Sequence, residues 1–312
     1  MKPNQLKGAI VGACVGDALG VPVEFKSRDY LEKYPVNDMT GYGTYNQPPG
    51  TWSDDSSLTL CLVDSLTKGY DLADIGKTFV KWYLGGYWTP HGDVFDIGGT
   101  TRRALLNLYK GNIAPNKAGP ADEQSNGNGS LMRILPLAFY TRHLPLLKRF
   151  EIVSDVASIT HGHIRSIAAC VGYVEFAVTL LVDHDLNIAY GKLRDAIKKF
   201  LNGSDEIRYF YNLVELEIAS FSRSQIRSSG YVVHTLEAAL WSLFNSSSYA
   251  ECVLKAVNLG EDTDTTGAVA GGLAGIYFGF DSIPENWIKQ IARIDDIFDL
   301  ADRFEASLST DG

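Results

Sequence analysis

The sequence predicts an all-α protein, a single domain built as an orthogonal multi-helix bundle of about a dozen helices, and three observations carry that expectation. Apolar residues recur at helical spacing through most of the 312 residues. Strand signals are scarce, because no Asn-Gly pair sits between two alternating apolar runs. Two segments carry glycines four residues apart: Gly8, Gly12, Gly16 and Gly20 near the start, and Gly267, Gly271, Gly275 and Gly279 near the end. In helices each set falls on one stripe. A helical glycine costs about 1 kcal/mol relative to alanine, so two such stripes predict helices whose backbones pack closely against each other.

Composition bounds what such a bundle can bind. The chain is 45% hydrophobic and 21% charged, with a net charge of −9 and no run of Lys or Arg. Nucleic-acid backbones and anionic membranes require a clustered positive surface, so neither is expected as a partner. The apolar N-terminal stretch is interrupted by Asp17 and diluted by glycine, which fits neither a signal peptide nor a membrane span, and the expected location is cytoplasmic. Cys14, Cys61, Cys170 and Cys252 lie far apart in apolar settings and read as buried free thiols.

Taken in order, the first glycine-striped helix ends before Pro22, and Glu24 follows between Val23 and Phe25. Glu24 reads equally as a functional acid or a surface glutamate. Residues 36–53 are rich in Gly, Pro, Tyr and Asn and show no periodicity, which predicts a long loop. Ser53, Asp54, Asp55 and Ser56 then open a helix whose apolar face is Leu58, Cys61, Leu62 and Leu66 and which Gly69 stops. Further on, Asp96 precedes a glycine turn and the helix RRALLNLYKG, where a capping role is the simplest reading. A polar loop, 111–130, ends in Asn126-Gly127-Asn128-Gly129-Ser130 ahead of the apolar run LMRILPLAF. Glycines directly before a helix expose N–H groups to an anion, although this loop lacks the lysine of a P-loop.

Three helical runs fill 148–201, with His161 in the joint THGH between two of them. Residues 205–227 read as peripheral amphipathic structure, and Ser229-Gly230-Tyr231 introduces the helix VVHTLEAALWSLF, placing the Tyr231 ring where it can line a pocket. The last striped helix is preceded by Glu261, Asp262, Asp264, Thr265 and Thr266, which offer only oxygen ligands within six residues. That set suits hard cations such as Mg²⁺, Ca²⁺ or Mn²⁺ rather than zinc. One carboxylate suffices to cap a helix, so the excess points to a metal or polar-ligand site. Ser53, Asp54 and Asp55 with Asp262, Asp264 and Thr265 supply oxygens enough for two cations sharing a carboxylate, roughly 3.5 to 4 Å apart as in two-metal sites generally.

Seven motifs, GAIVGACVGDALGVPVEF (8–25), TWSDDSSL (51–58), FDIGGTTRRAL (95–105), NGNGSLMRILPLA (126–138), THGH (160–163), SGYVVHTLEAALW (229–241) and NLGEDTDTTGAVAGGLAGIYFG (258–279), give the chain its identity. In this order they resemble the ADP-ribosylglycohydrolase family, the group that includes dinitrogenase reductase-activating glycohydrolase. The resemblance implies an all-α fold holding two Mg²⁺ or Mn²⁺ ions on Ser53, Asp54, Asp55, Asp262, Asp264 and Thr265. Ser53 stands where the family usually has Thr, which keeps the hydroxyl. It further implies that Ser125, Asn126, Gly127 and Asn128 approach the substrate and that His161, Gly230 and Tyr231 line an ADP-ribose cleft. Glu24 matches the acid beside the metals. Glu24 or Asp55 is then the expected general base, and Asp96 the contact to the leaving group. The implied reaction is hydrolytic release of ADP-ribose from a modified protein or other conjugate, with arginine as the expected attachment. Serine-linked, poly- and O-acetyl-ADP-ribose are alternative substrates, and a non-catalytic ADP-ribose-binding or structural role is the alternative from another class.

Overall fold

A computed structural model describes residues 4–111 and 113–309. The first striped segment forms α1 (Gln5–Gly20), buried along nearly its whole length, and Pro22 lies in the 3₁₀ turn that ends it. The helices α2 (Arg28–Lys33), α3 (Asp54–Leu66) and α4 (Leu72–Gly85) begin at Ser27, Ser53 and Asp71, whose side chains each accept a first-turn N–H. Then come α5 (Gly99–Tyr109), α6 (Pro136–Thr141), α7 (Leu146–Ser158), α8 (Ile164–Asp183), α9 (Leu186–Phe200), the single turn α10 (Tyr211–Val214), α11 (Val232–Phe244) and α12 (Tyr249–Val257). The chain closes with α13 (Thr263–Phe278), α14 (Glu285–Gln290) and α15 (Ile294–Leu308). Among the described residues there is no β-strand, only two isolated bridges, Tyr42 to Gln47 and Gly127 to Tyr231.

The two striped helices are the axis of the molecule. They run antiparallel, and Gly8, Gly12, Gly16 and Gly20 face Gly275, Gly271, Gly267 and Asp264 in turn. A methyl group added at Gly16 would sit 2.0 Å from the Gly267 carbonyl oxygen, and one at Gly12 2.5 Å from that of Gly271, so only glycine permits this approach. Tyr249 donates to the Gly12 carbonyl at 2.7 Å and Tyr173 to that of Val269 at 3.0 Å, which ties α12 and α8 to the pair. On their outer faces α8, α11 and α12 enclose α13, while α3 and α15 cover α1. Gly279 takes no part in the stripe; it ends α13 with φ 88°.

Two helices, Gln5–Val23 with its terminal turn and Ile164–Asp183, are long and apolar enough to cross a membrane, but 89% and 83% of their apolar windows are buried inside the fold. The four cysteines are free and buried, as the apolar settings suggest. Residues 36–53 form the expected loop. The run after the glycine loop departs from expectation, because residues 129–133 make turns and α6 starts only at Pro136. Proline at the first helical position has no N–H to donate to an earlier turn. The Met132 carbonyl that this leaves without a donor is reached by Thr59 Oγ1 at 3.4 Å, and the buried Arg133 side chain donates to the Gly129 carbonyl at 2.7 Å. Residues 205–227 are also less regular than amphipathic spacing suggests, carrying three 3₁₀ turns around α10.

Candidate active site

Because α1 and α13 run antiparallel, the C-terminal end of α1 lies against the first turn of α13, and α3 begins beside both. Thr263 Oγ1 donates to the Gly20 carbonyl at 2.8 Å, fixing the start of α13. The two acidic helix starts therefore meet. Ser53 Oγ donates to Asp55 Oδ2 at 2.9 Å, and Thr265 Oγ1 reaches the same oxygen at 3.3 Å across 210 residues of sequence. Carboxylate oxygens of Asp17, Asp55 and Asp264 lie within 4.8 Å of one another, as do those of Glu24, Asp96 and Asp264. Asp264 belongs to both groups and so links the two acidic clusters.

The simplest reading of these acids, as helix caps, is not what the geometry shows. Asp262 occupies the cap position of α13 without a side-chain cap bond, and Gly98, not Asp96, precedes α5. Asp262 Oδ2 accepts instead from Asn128 Nδ2 at 3.0 Å. Four buried carboxylate oxygens, Glu24 Oε2, Asp55 Oδ1, Asp262 Oδ1 and Asp264 Oδ2, have no hydrogen-bond partner. Buried polar atoms are ordinarily paired, so four orphans on converging acids form a cradle for positive charge. Burial first, then the neighbouring carboxylates, pushes the carboxyl groups of Asp54, Asp55 and Asp264 well above the usual range. Glu24 is pushed up to about 8 by burial and by Asp96 beside it, against a hydrogen bond from Tyr45 that lowers it. An all-oxygen donor set with unpaired oxygens fits hard divalent cations.

Next to this cradle opens a cavity of about 360 Å³, with Glu24, Asp54, Asp96, Asp262 and Thr265 along one side. The other side is the glycine loop: Gly127, Asn128, His161 and Gly230. Asn128 N–H donates to the Gly230 carbonyl at 3.1 Å and Val232 N–H to that of Asn126 at 3.1 Å, so the loop is clamped to the start of α11. Glycine is required at 129, where a methyl group would meet the His161 ring at 2.8 Å. His161 is buried and its Nδ1 pairs with Thr160 Oγ1 at 2.9 Å; burial, with Arg133 nearby, lowers its pKa to about 3, so the ring is neutral. Tyr231 lies just beyond, on an adjoining cavity of about 650 Å³ that also holds Arg165, Arg208 and Arg227.

Ser125 and Asn126 stand behind the cleft wall. Ser125 Oγ donates to Asp122 Oδ1 at 2.8 Å, and the Asn126 amide bonds the Glu123 carbonyl and Ser166, so both side chains brace the loop. Two residues at the site escaped sequence reasoning. Tyr45, from the long loop, lies beside both Glu24 and Asp96, and its hydroxyl lowers the pKa of each. Asp17 sits buried in α1 beneath the start of α3, its carboxyl pushed up to about 6 by burial. A lone carboxylate inside an otherwise apolar helix was the available signal for Asp17, because a buried charge demands partners.

Comparison with known proteins is consistent with this geometry. The family model for ADP-ribosylglycohydrolase matches residues 2–312. The ADP-ribosylarginine hydrolase Tri1 of Pseudomonas putida (strain GB-1) is 35% identical over 302 residues, covering 93% of this chain and 74% of the relative. The ADP-ribosyl-[dinitrogen reductase] glycohydrolase of Rhodospirillum rubrum is 32% identical over 293 residues, covering 92% of this chain and 90% of the relative. A solved structure of an ADP-ribosylglycohydrolase-related protein complex aligns over 98% of both chains with a TM-score of 0.80 at 31% identity.

Proposed function

This chain belongs to the ADP-ribosylglycohydrolase family, and we propose that it removes ADP-ribose from arginine side chains of modified proteins by hydrolysing the N-glycosidic bond at C1″. The observation that carries this reading is the convergence of Glu24, Asp55, Asp96, Asp262 and Asp264, four of them with an unpartnered buried oxygen, on a cleft floored by the clamped glycine loop. Ser53, Asp54, Asp55, Asp262, Asp264 and Thr265 would hold two divalent cations, Mg²⁺ or Mn²⁺. When bound, the ions supply Lewis-acid polarisation of coordinated water and ribose hydroxyls.

The chain's own residues then account for the rest. As the bond from C1″ to the guanidine nitrogen breaks, its electron pair leaves with the nitrogen and positive charge grows on the ribose ring, which the flanking carboxylates stabilise. Water adds at C1″ and its proton passes to a base. Glu24 fits that task by position, because it lines the cleft beside Asp54, Asp96 and Asp262. Asp55 is the second candidate base. Asp96, half-buried and lining the same cleft as Glu24, faces the guanidino group, which leaves as neutral guanidine and takes up the proton that the base has received from water. The diphosphate lies against Gly127 and Asn128, and the adenosine end runs past Gly230 toward Tyr231, while neutral His161 offers a hydrogen bond without adding charge.

The test is release of ADP-ribose from ADP-ribosyl-arginine in the presence of Mg²⁺ or Mn²⁺, with serine-linked and O-acetyl-ADP-ribose as competing substrates. EDTA is expected to abolish turnover, and Glu24→Gln, Asp55→Asn and Asp96→Asn to lower kcat by about 10²-fold or more. Near-normal rates in all three variants would remove the assigned roles, and turnover of the other conjugates alone would reassign the leaving group.

A further inference from the structure

The carboxylate that none of these roles uses is Asp17. It sits on α1 between Gly16 and Gly20, fully buried, and its oxygens lie within 4.8 Å of those of Asp55 and Asp264. Proximity alone suggests another ligand, but its hydrogen bonding argues otherwise. Ser53 N–H donates to Oδ1 at 3.0 Å and to Oδ2 at 3.1 Å, Ser56 N–H donates to Oδ2 at 3.0 Å, and Ser56 Oγ donates to Oδ2 at 2.6 Å. Every donor comes from the start of α3. Both Asp17 oxygens are therefore hydrogen-bonded, Oδ2 by three donors, whereas Asp55, Asp262, Asp264 and Glu24 each keep an unpartnered oxygen.

A helix cap does not require this arrangement. The α3 helix already has one, since Ser53 Oγ accepts from Asp55 N–H at 3.2 Å. A second, charged acceptor brought from another helix into the interior is costly unless something nearby repays the charge. The same α1 segment also fixes the other acidic start, through Gly16 against Gly267, Gly20 against Asp264, and the Gly20 carbonyl bonded to Thr263. One turn of α1 thus grips α13 with its glycines and α3 with its carboxylate.

We propose that Asp17 is a positioning residue for the divalent-cation site: it locks Ser53 and Ser56 so that Asp55 faces Asp264 across the end of α1, and its negative charge raises cation affinity without coordinating. This rests on the reading that Asp55 and Asp264 hold a cation. Supporting groups behind metal ligands characteristically change metal affinity by about 10- to 100-fold. Asn at position 17 keeps the shape but removes the charge and turns a donor toward the Ser53 and Ser56 donors.

The experiment titrates the full chain with Mn²⁺, reading free Mn²⁺ by electron paramagnetic resonance, and measures thermal unfolding without metal in parallel. The expected result is that Asp17→Asn remains folded at 20 °C and binds Mn²⁺ about 10- to 100-fold more weakly than the wild type. A role confined to capping α3 predicts a lower metal-free Tm with unchanged Mn²⁺ affinity, and that outcome overturns the proposal. If Asp17→Asn does not fold, Ser56→Ala decides, since it removes the 2.6 Å bond and keeps the charge; an affinity lower by about threefold or more supports the proposal, and an unchanged one overturns it. Wild-type protein that binds no Mn²⁺ sinks the metal reading itself, and the role of Asp17 with it.

Discussion

His161 shows how much a single side chain's surroundings constrain its chemistry. It lies between the glycine loop and Thr160, and burial beside Arg133 holds its pKa at about 3. An unfolded chain returns it to about 6.5. The folded state thus refuses a proton that the unfolded state accepts, so its contribution to stability is complete above pH 6.5 and is lost as pH falls toward 3. The loss from this residue alone is on the order of 3 kcal/mol between pH 7 and pH 4. The raised carboxylates work in the opposite sense, but they are common to the wild type and to a His161→Gln variant and cancel in the difference. Chemical denaturation at a series of pH values is expected to show a shallower acid loss in His161→Gln. Parallel curves for the two proteins would mean that the ring is not held neutral by its site.

At the scale of the helix, the antiparallel contact of α1 with α13 makes the sharpest mechanical prediction. Alanine at Gly16 would place a carbon 2.0 Å from the Gly267 carbonyl oxygen, where neither neighbour is a side chain that can turn away. Gly16→Ala is expected to cost on the order of 3 kcal/mol or to prevent folding, measured by urea unfolding. Gly191, exposed in α9 with nothing within 4 Å of an added carbon, is the control, and Gly191→Ala is expected to stabilise by about 0.5–1 kcal/mol. Equal effects at the two positions would deny the close approach. This contact was legible in sequence because a four-residue glycine spacing has few other uses, and the acidic starts of α3 and α13 were legible because they exceed what a cap needs. The start of α6 was not, since apolar spacing runs through LMRILPLAF and only Pro136 decides where the helix begins. Asp17 and Tyr45 stayed hidden for a related reason. The partners of Asp17 are N–H groups and a hydroxyl on another helix, so the lone carboxylate in an apolar helix marks the residue but not what it binds, and Tyr45 nears Glu24 only through the path of a long loop, which leaves no local pattern.

For the molecule as a whole, the acidic site is a load that the surrounding fold carries. One hydrophobic cluster extends from Leu6 to Phe304, and within it lie Asp17, Asp55 and Asp264, none more than 1% exposed. The strongest charges acting on Asp264 are those of Glu24, Asp55, Asp262 and Asp96, all of the same sign. Residues arranged for a ligand rather than for the free protein store repulsion that binding relieves. Asparagine at 264 keeps the oxygen that accepts from Thr265 N–H at 2.9 Å and turns the orphaned Oδ2 into a donor facing carboxylates. Asp264→Asn is therefore expected to be at least as stable as the wild type in EDTA, by on the order of 1 kcal/mol or more. Mn²⁺ at about 100 times its Kd should stabilise the wild type by about 2.7 kcal/mol and leave the variant unmoved. Calorimetry with and without Mn²⁺ measures both effects. A variant that is weaker than the wild type in EDTA, yet still gains from Mn²⁺, would show that Asp264 serves the fold rather than a cation, and the shared position at the start of α13 would lose its meaning.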